Sequence, residues 1–101
     1  MMVHITLVCS AGMSTSMLVT KMKGAAAARG LDVDIRAMAE TAFEKYDGQT
    51  DVLLLGPQIG FLEEEFKSKY EHLKVAVIDI ADYGMMNGEK VLETALHIAQ
   101  S

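Results

Sequence analysis

The stretch Cys9-Ser10-Ala11-Gly12-Met13-Ser14-Thr15-Ser16 brings together one thiol, one glycine and four hydroxyls. It follows an apolar run and leads into helix-forming sequence. A helix amino terminus carries a partial positive charge and unpaired N–H groups. Such a terminus binds phosphate and favours an anionic sulfur. Gly12 permits positive φ, so successive amides can curl around one anion. Ser10, Ser14, Thr15 and Ser16 add donors, and one of the later three is expected to cap the helix. The stretch is a candidate cradle for three phosphoryl oxygens beside a thiolate. A plainer reading stands next to it. A cysteine at a strand end is commonly a small buried apolar residue, and hydroxyl residues ahead of a helix are ordinary caps.

Missing motifs narrow the chemistry. There is no GxxxxGK[ST] nucleotide loop and no GxGxxG dinucleotide fingerprint. No arginine lies between Cys9 and Ser16, and the nearest basic residue is Lys21. A phosphorylated Cys9 would be held by dipoles and hydroxyls alone. That arrangement is expected to keep the phosphoryl group transferable, whereas a fixed arginine would assist hydrolysis. The histidines stand away from the sulfur. His4 precedes Cys9 on the same strand by roughly 17 Å at the usual strand rise. His72 and His97 belong to the opposite end of the sheet. A Cys-His hydrolase pair within hydrogen-bond reach is therefore not expected, and all three histidines read as surface or structural.

Two other segments could border the site. Gln58, in the turn Gly56-Pro57-Gln58, could donate to a bound phosphate or could be a plain surface residue. In Asp79 to Gly88, Tyr83 could cover the edge of the site, and Met85 and Met86 could form a yielding contact surface. Core packing under a loop is the alternative for all three. Met13 and Met17, if exposed, would favour partner docking.

These side chains must be positioned by an α/β framework, because strand-like and helix-like runs alternate. Strands are predicted at Val3 to Cys9, Val33 to Met38, Val52 to Leu55 and Val75 to Asp79. The second alternates apolar with charged residues, as an edge strand does, and the third is apolar throughout. Helices are predicted at Ser14 to Arg29, Thr41 to Tyr46, Ile59 to Tyr70 and Gly88 to Ala99. Gly30 is placed as a C-cap glycine, and Glu63-Glu64-Glu65 as a solvated face. The expected product is a four-stranded parallel sheet, order 2-1-3-4, with helices on both faces. That is a truncated flavodoxin-like sheet with a phosphatase-like loop after strand one. The order reverses between strands one and three, so a ligand should sit at Cys9 and the Gly56-Pro57-Gln58 turn.

Composition agrees with one small domain spanning residues 1–101. Half of the 101 residues are apolar, enough for a core without staples. One cysteine leaves no internal disulfide or multi-cysteine zinc site, and it fits a reducing cytoplasm. A net charge of -5 argues against nucleic acid and anionic lipid as partners. Apolar runs are far short of the roughly 20 residues a membrane span needs. The opening residues lack the basic region of a signal peptide.

The motif VCSAGMSTS, the strand ending LLGPQI and the length together resemble the IIB components of the bacterial phosphoenolpyruvate-dependent sugar phosphotransferase system. The similarity is to the lactose, cellobiose and diacetylchitobiose branch. The resemblance implies that Cys9 takes a phosphoryl group from a phosphohistidine on a IIA protein and becomes phosphocysteine. The group then passes to a disaccharide or other sugar bound in a IIC membrane permease. Amides and hydroxyls from Ser10 to Ser16 would hold it, with no metal or organic cofactor. The chain would be cytoplasmic and meet the membrane only through IIC. The rim around Cys9 is expected to be open and partly apolar, so that both partners reach it.

Two rivals remain. A low-molecular-weight tyrosine phosphatase-like enzyme has a loop resembling C-x5-R-[ST], with Asp82-Tyr83 as a possible acid segment. Here the arginine position is Thr15. A non-catalytic α/β binding module would carry an inert Cys9 that resists thiol reagents.

Overall fold

The computed structural model describes residues 2–9, 13–45 and 47–100, without the side chains of Met13, Ser14 and Asp47. Four parallel strands form one sheet in the order β2-β1-β3-β4: β1 Val3–Cys9, β2 Val33–Ala39, β3 Val52–Leu55 and β4 Lys74–Val77. The predicted sheet order is the one observed. Every residue of β3 is buried, because side chains of successive strand residues leave on opposite faces and both faces are covered. Val52 and Leu54 join one apolar cluster, Leu53 and Leu55 the other.

The first cluster packs Ile5 and Leu7 of β1 beneath two helices, α1 (Met13–Ala28) and α4 (Gly88–Ala99). Leu18, Met22 and Ala26 come from α1, and Val91, Leu92 and Ala95 from α4. The second cluster sets Val8, Leu53 and Leu55 against Phe43, Phe66 and Tyr70. Phe66 lies on α2 (Glu63–Lys69), and Phe43 on a 3-10 turn at Glu40–Lys45. Tyr70 meets both phenylalanines edge-on, with ring centroids 5.1 Å and 5.7 Å away.

Helix α1 ends where the sequence says it must. Gly30 has φ +66°, Leu31 N–H donates to the Ala26 carbonyl at 2.9 Å, and Gly30 N–H donates to Ala27 at 3.2 Å. This pair of bonds satisfies two of the last carbonyls, and the glycine takes the left-handed angle without a Cβ clash.

Three expectations need correction. The predicted helix Ile59 to Tyr70 is a 3-10 segment, Pro57–Leu62, broken at Ile59 (φ -119°, ψ 24°), followed by the short α2. Pro57 and Gly60 flank that break and are both poor helix formers. The Glu63-Glu64-Glu65 run then occupies the first turn of α2, where negative charge meets the positive end of the helix dipole. Glu63 also pairs with Lys67 at 3.1 Å, one turn on. The segment after strand four, read as a loop, contains a further helix, α3 (Ile80–Gly84). Asp79 caps it, its carboxylate accepting from Ala81 N–H at 2.9 Å and Asp82 N–H at 3.3 Å. β4 accordingly stops at Val77, two residues before the predicted end.

Candidate functional site

Cys9 is the last residue of β1 and stands in register with Ala39 of β2. On its other side runs β3, and Gly56 N–H donates to the Val8 carbonyl at 2.9 Å. The carboxyl ends of β1 and β3 thus lie side by side where the strand order reverses, the place where open α/β sheets put their ligands. By strand alternation Cys9 shares the face of Ile5 and Leu7, which is the face α1 covers.

Helix α1 begins at Met13, so Ser14, Thr15 and Ser16 all fall within its first turn and none stands at the cap. This corrects the expected capping role and frees the threonine for another. Thr15 is fully buried, and its hydroxyl donates to Cys9 Sγ at 2.7 Å. The same oxygen lies 3.4 Å from the hydroxyl of Tyr83, itself buried at the far side of Thr15. Side chains from β1, α1 and α3 therefore form one row, with Thr15 between the sulfur and the Tyr83 hydroxyl.

Cys9 is only 3% exposed. The open rim expected around the thiol is not what the described residues form. Thr15 sits directly on the sulfur, and Gly56 lies close against its Cβ. A sulfur so placed is shielded from bulk water. Slow reaction with thiol reagents is then expected of an active and an inert Cys9 alike, so labelling does not separate the two.

A family model described as "PTS system, Lactose/Cellobiose specific IIB subunit" matches residues 4–94. The chain belongs to this family of phosphotransferase-system IIB subunits. It is 47% identical over 98 residues to a galactose-specific EIIB component of Lactococcus lactis subsp. cremoris (strain MG1363), covering 90% of this chain and 91% of that one. It is equally similar, 47% over 98 residues with the same coverage, to a cellobiose-specific EIIB component of Lactococcus lactis subsp. lactis (strain IL1403). The solution structure of a cellobiose-specific IIB component from Borrelia burgdorferi superposes with a TM-score of 0.83 at 40% identity, covering 99% of this chain and 94% of that one. A IIB subunit is a phosphotransferase component, and its work is phosphoryl transfer in sugar uptake.

For this IIB subunit the predicted site residues divide as follows. Cys9, Thr15 and Tyr83 come together. Ser16 is exposed on the first turn of α1. Ser10, Ala11 and Gly12 lie outside the described residues, as do the side chains of Met13 and Ser14 and with them the predicted docking role of Met13. Gln58 is exposed, and its Oε1 folds back toward Gly56, 2.9 Å from where a Cβ on that glycine would stand. Tyr83 is not a cover at the edge of the site but a buried neighbour of Thr15. The sequence offered only a helix start ahead of it, Asp79 being a residue type favoured at an N-cap.

The histidines stand elsewhere. His4 Nδ1 lies 3.2 Å from Asp34 Oδ2, and His4 N–H donates to Asp51 Oδ2 at 2.8 Å. Arg36 donates to the same Asp34 oxygen at 2.6 Å, and together with His4 it holds the Asp34 carboxyl below the usual carboxylate range. A hollow of about 410 Å³ opens at this opposite edge, lined by His4, Asp51, His72 and Lys74. Among the described residues, no three or more His, Cys, Asp or Glu side chains are grouped to hold a metal ion. No helix among them is long and apolar enough to cross a membrane.

Proposed function

We propose that Cys9 is the phosphoryl carrier of this IIB subunit. Its thiolate attacks the phosphorus of a phosphohistidine on a IIA protein, forming the S–P bond as the P–N bond breaks and the imidazole leaves with its electron pair. A hydroxyl of a sugar bound in a IIC permease then attacks the same phosphorus. The S–P bond breaks, the thiolate is restored, and the hydroxyl proton goes to solvent. Most of the catalysis lies in positioning and in charge stabilisation by the segment Ser10 to Ser16. The observation that carries this reading is the Thr15 hydroxyl aimed at Cys9 Sγ from the first turn of α1.

The surroundings support docking of two protein partners. Met17, Phe61, Ile80 and Met85 are between 61% and 80% exposed. Each lies on a segment that leaves the carboxyl end of β1, β3 or β4, the end that holds Cys9. Apolar side chains exposed in this way mark transient interfaces. The reading places the chain, as one phosphocarrier unit, in the cytoplasm, reaching the membrane through IIC. Relatives of equal identity are named for galactose and for cellobiose, so the sugar is left to the permease.

The test is direct. Incubation with phosphoenolpyruvate, the general carrier proteins and the cognate IIA should give one phosphoryl group per chain, labile to iodine as a phosphocysteine is. Cys9→Ser should keep the fold and lose transfer to sugar. Normal sugar phosphorylation by that variant would reject the carrier assignment.

The phosphatase-like alternative meets an obstacle at Thr15. An arginine at that position would need a buried space that the threonine and Tyr83 already share. Appreciable hydrolysis of an aryl phosphate by the unaltered protein would favour it.

A further inference from the structure

The hydrogen-bond directions at the site are fixed by a count of protons. A threonine hydroxyl has one proton and two lone pairs. At 2.7 Å from Cys9 Sγ, the Thr15 proton is committed to the sulfur, which as a thiolate can only accept. The second contact of the same oxygen, 3.4 Å to the Tyr83 hydroxyl, must then run the other way: Tyr83 donates and Thr15 accepts. We propose that Tyr83 is a positioning residue for phosphoryl transfer, the outer donor of a chain Tyr83 O–H to Thr15 O–H to Cys9 Sγ. The proposal rests on the reading of Cys9 as the carrier.

What Tyr83 adds follows from the freedom Thr15 would otherwise have. A threonine hydroxyl rotates about its C–O bond, so its proton can leave the sulfur for any other acceptor within reach. A donor arriving on the oxygen leaves the threonine proton free to point only away from it, toward the sulfur. The donor also polarises the Thr15 hydroxyl, so the inner bond strengthens when negative charge gathers on sulfur. Charge gathers there twice per turnover, before attack on the donor and again as sulfur leaves the phosphoryl group. The outer bond is long at rest and shortens as that charge develops.

The framework holds Tyr83 for this purpose. Its ring packs in the apolar cluster beneath α1 and α4, and its N–H donates to the Asp79 carbonyl at 2.9 Å. Thr15 is fully buried and Tyr83 nearly so, so water does not compete for the chain. Helix α3 packs against α4, α4 packs against α1, and from there the Tyr83 hydroxyl reaches Thr15.

Tyr83→Phe removes the hydroxyl and keeps the ring. The expected result is a drop of about three- to tenfold in kcat for transfer from IIA and to sugar, the worth of one modest hydrogen bond. KM for phosphorylated IIA should stay where it was, because the docking face is untouched. In a Thr15→Val background, Tyr83→Phe should cost nothing more; in Thr15→Ser it should cost its full factor again. Unchanged kcat in Tyr83→Phe, or the same loss with Thr15→Val as without it, overturns the positioning role. A Cys9→Ser control separates the two layers: if that variant transfers normally, the carrier reading has failed. If it is dead while Tyr83→Phe is fully active, only the role of Tyr83 has.

Discussion

Gly56 faces Cys9 across the seam between β1 and β3: a Cβ on the glycine would stand 3.1 Å from the Cβ of Cys9. It would also stand 2.9 Å from Gln58 Oε1. The backbone at Gly56 is extended (φ -62°, ψ 149°) and would accept any residue, so the glycine serves the space beside the cysteine and not a turn. Gly56→Ala should therefore fold. Gln58 can swing away, but Cys9 must shift by a few tenths of an ångström. Transfer should fall by roughly tenfold, since small misplacements of a reacting atom are costly. Single-turnover transfer from phosphorylated IIA measures it, with circular dichroism as the check on folding.

Two helix glycines should respond in opposite directions to alanine. Gly88 opens α4 where it crosses α1, and a Cβ there would lie 2.6 Å from the backbone carbonyl carbon of Lys21 and 2.7 Å from Met22 N. Backbone cannot swing aside, so Gly88→Ala forces the helices apart and should cost about 1–3 kcal/mol. Gly24 lies on the exposed side of α1 with nothing within 4 Å of its would-be Cβ. Gly24→Ala should stabilise by about 0.5–1 kcal/mol, the helix-propensity difference. Urea unfolding of the two variants should move the midpoint down for the first and up for the second.

The contrast between these glycines shows what the sequence can and cannot carry. Gly24 is legible as a weak point in an alanine-rich helix, and Gly30 as its terminator, because both effects are local. The closeness at Gly88 is not, because it depends on where α4 lands on α1. The sheet order was legible because each strand had a distinct apolar pattern: β3 unbroken, β2 alternating. Cys9 was legible as the end of the first strand facing a helix start. The partnership of Thr15 with Tyr83 was not, since 68 residues separate them and α3 hid behind what reads as a loop. The tight turns at Pro57–Leu62 escaped for the converse reason, an apolar helix-like spacing overruled by proline and glycine.

Asp34 ties β2 to β1 at the edge away from Cys9, and its titration sets an acid limit on that tie. Its carboxyl is held down first by the hydrogen bond from Arg36 and next by that from His4. A group with a lowered folded value contributes stability above its unfolded value, 3.8, and loses it as pH falls through the lowered one. The stabilisation should be complete at pH 5 and above and fade below pH 4. Because about a third of the side chain is exposed, screening keeps the amount at or below about 1 kcal/mol. Asp34→Asn should lower stability slightly at pH 7 and make the fall between pH 4 and pH 2 shallower. Thermal unfolding across that range reads both, and an unchanged acid limb in the variant would show that Asp34 contributes nothing to it.

One sulfur must meet two proteins in turn, so the surfaces that bind the donor and the acceptor have to overlap around Cys9. Met17, Phe61, Ile80 and Met85 supply exposed apolar area on the segments that surround that end of the sheet. Being solvent-facing, they contribute little to the fold, and replacing any one with aspartate should leave the unfolding midpoint nearly unchanged. Each replacement should instead raise KM for phosphorylated IIA several-fold, as the loss of an apolar contact and the placement of a charge in an interface do. Substitutions nearest the sulfur should raise the apparent KM for the permease as well. His97→Ala, exposed near the far end of α4, should change neither. If Met17→Asp and Met85→Asp both dock IIA normally while Cys9 still carries the phosphoryl group, the partners approach from another side.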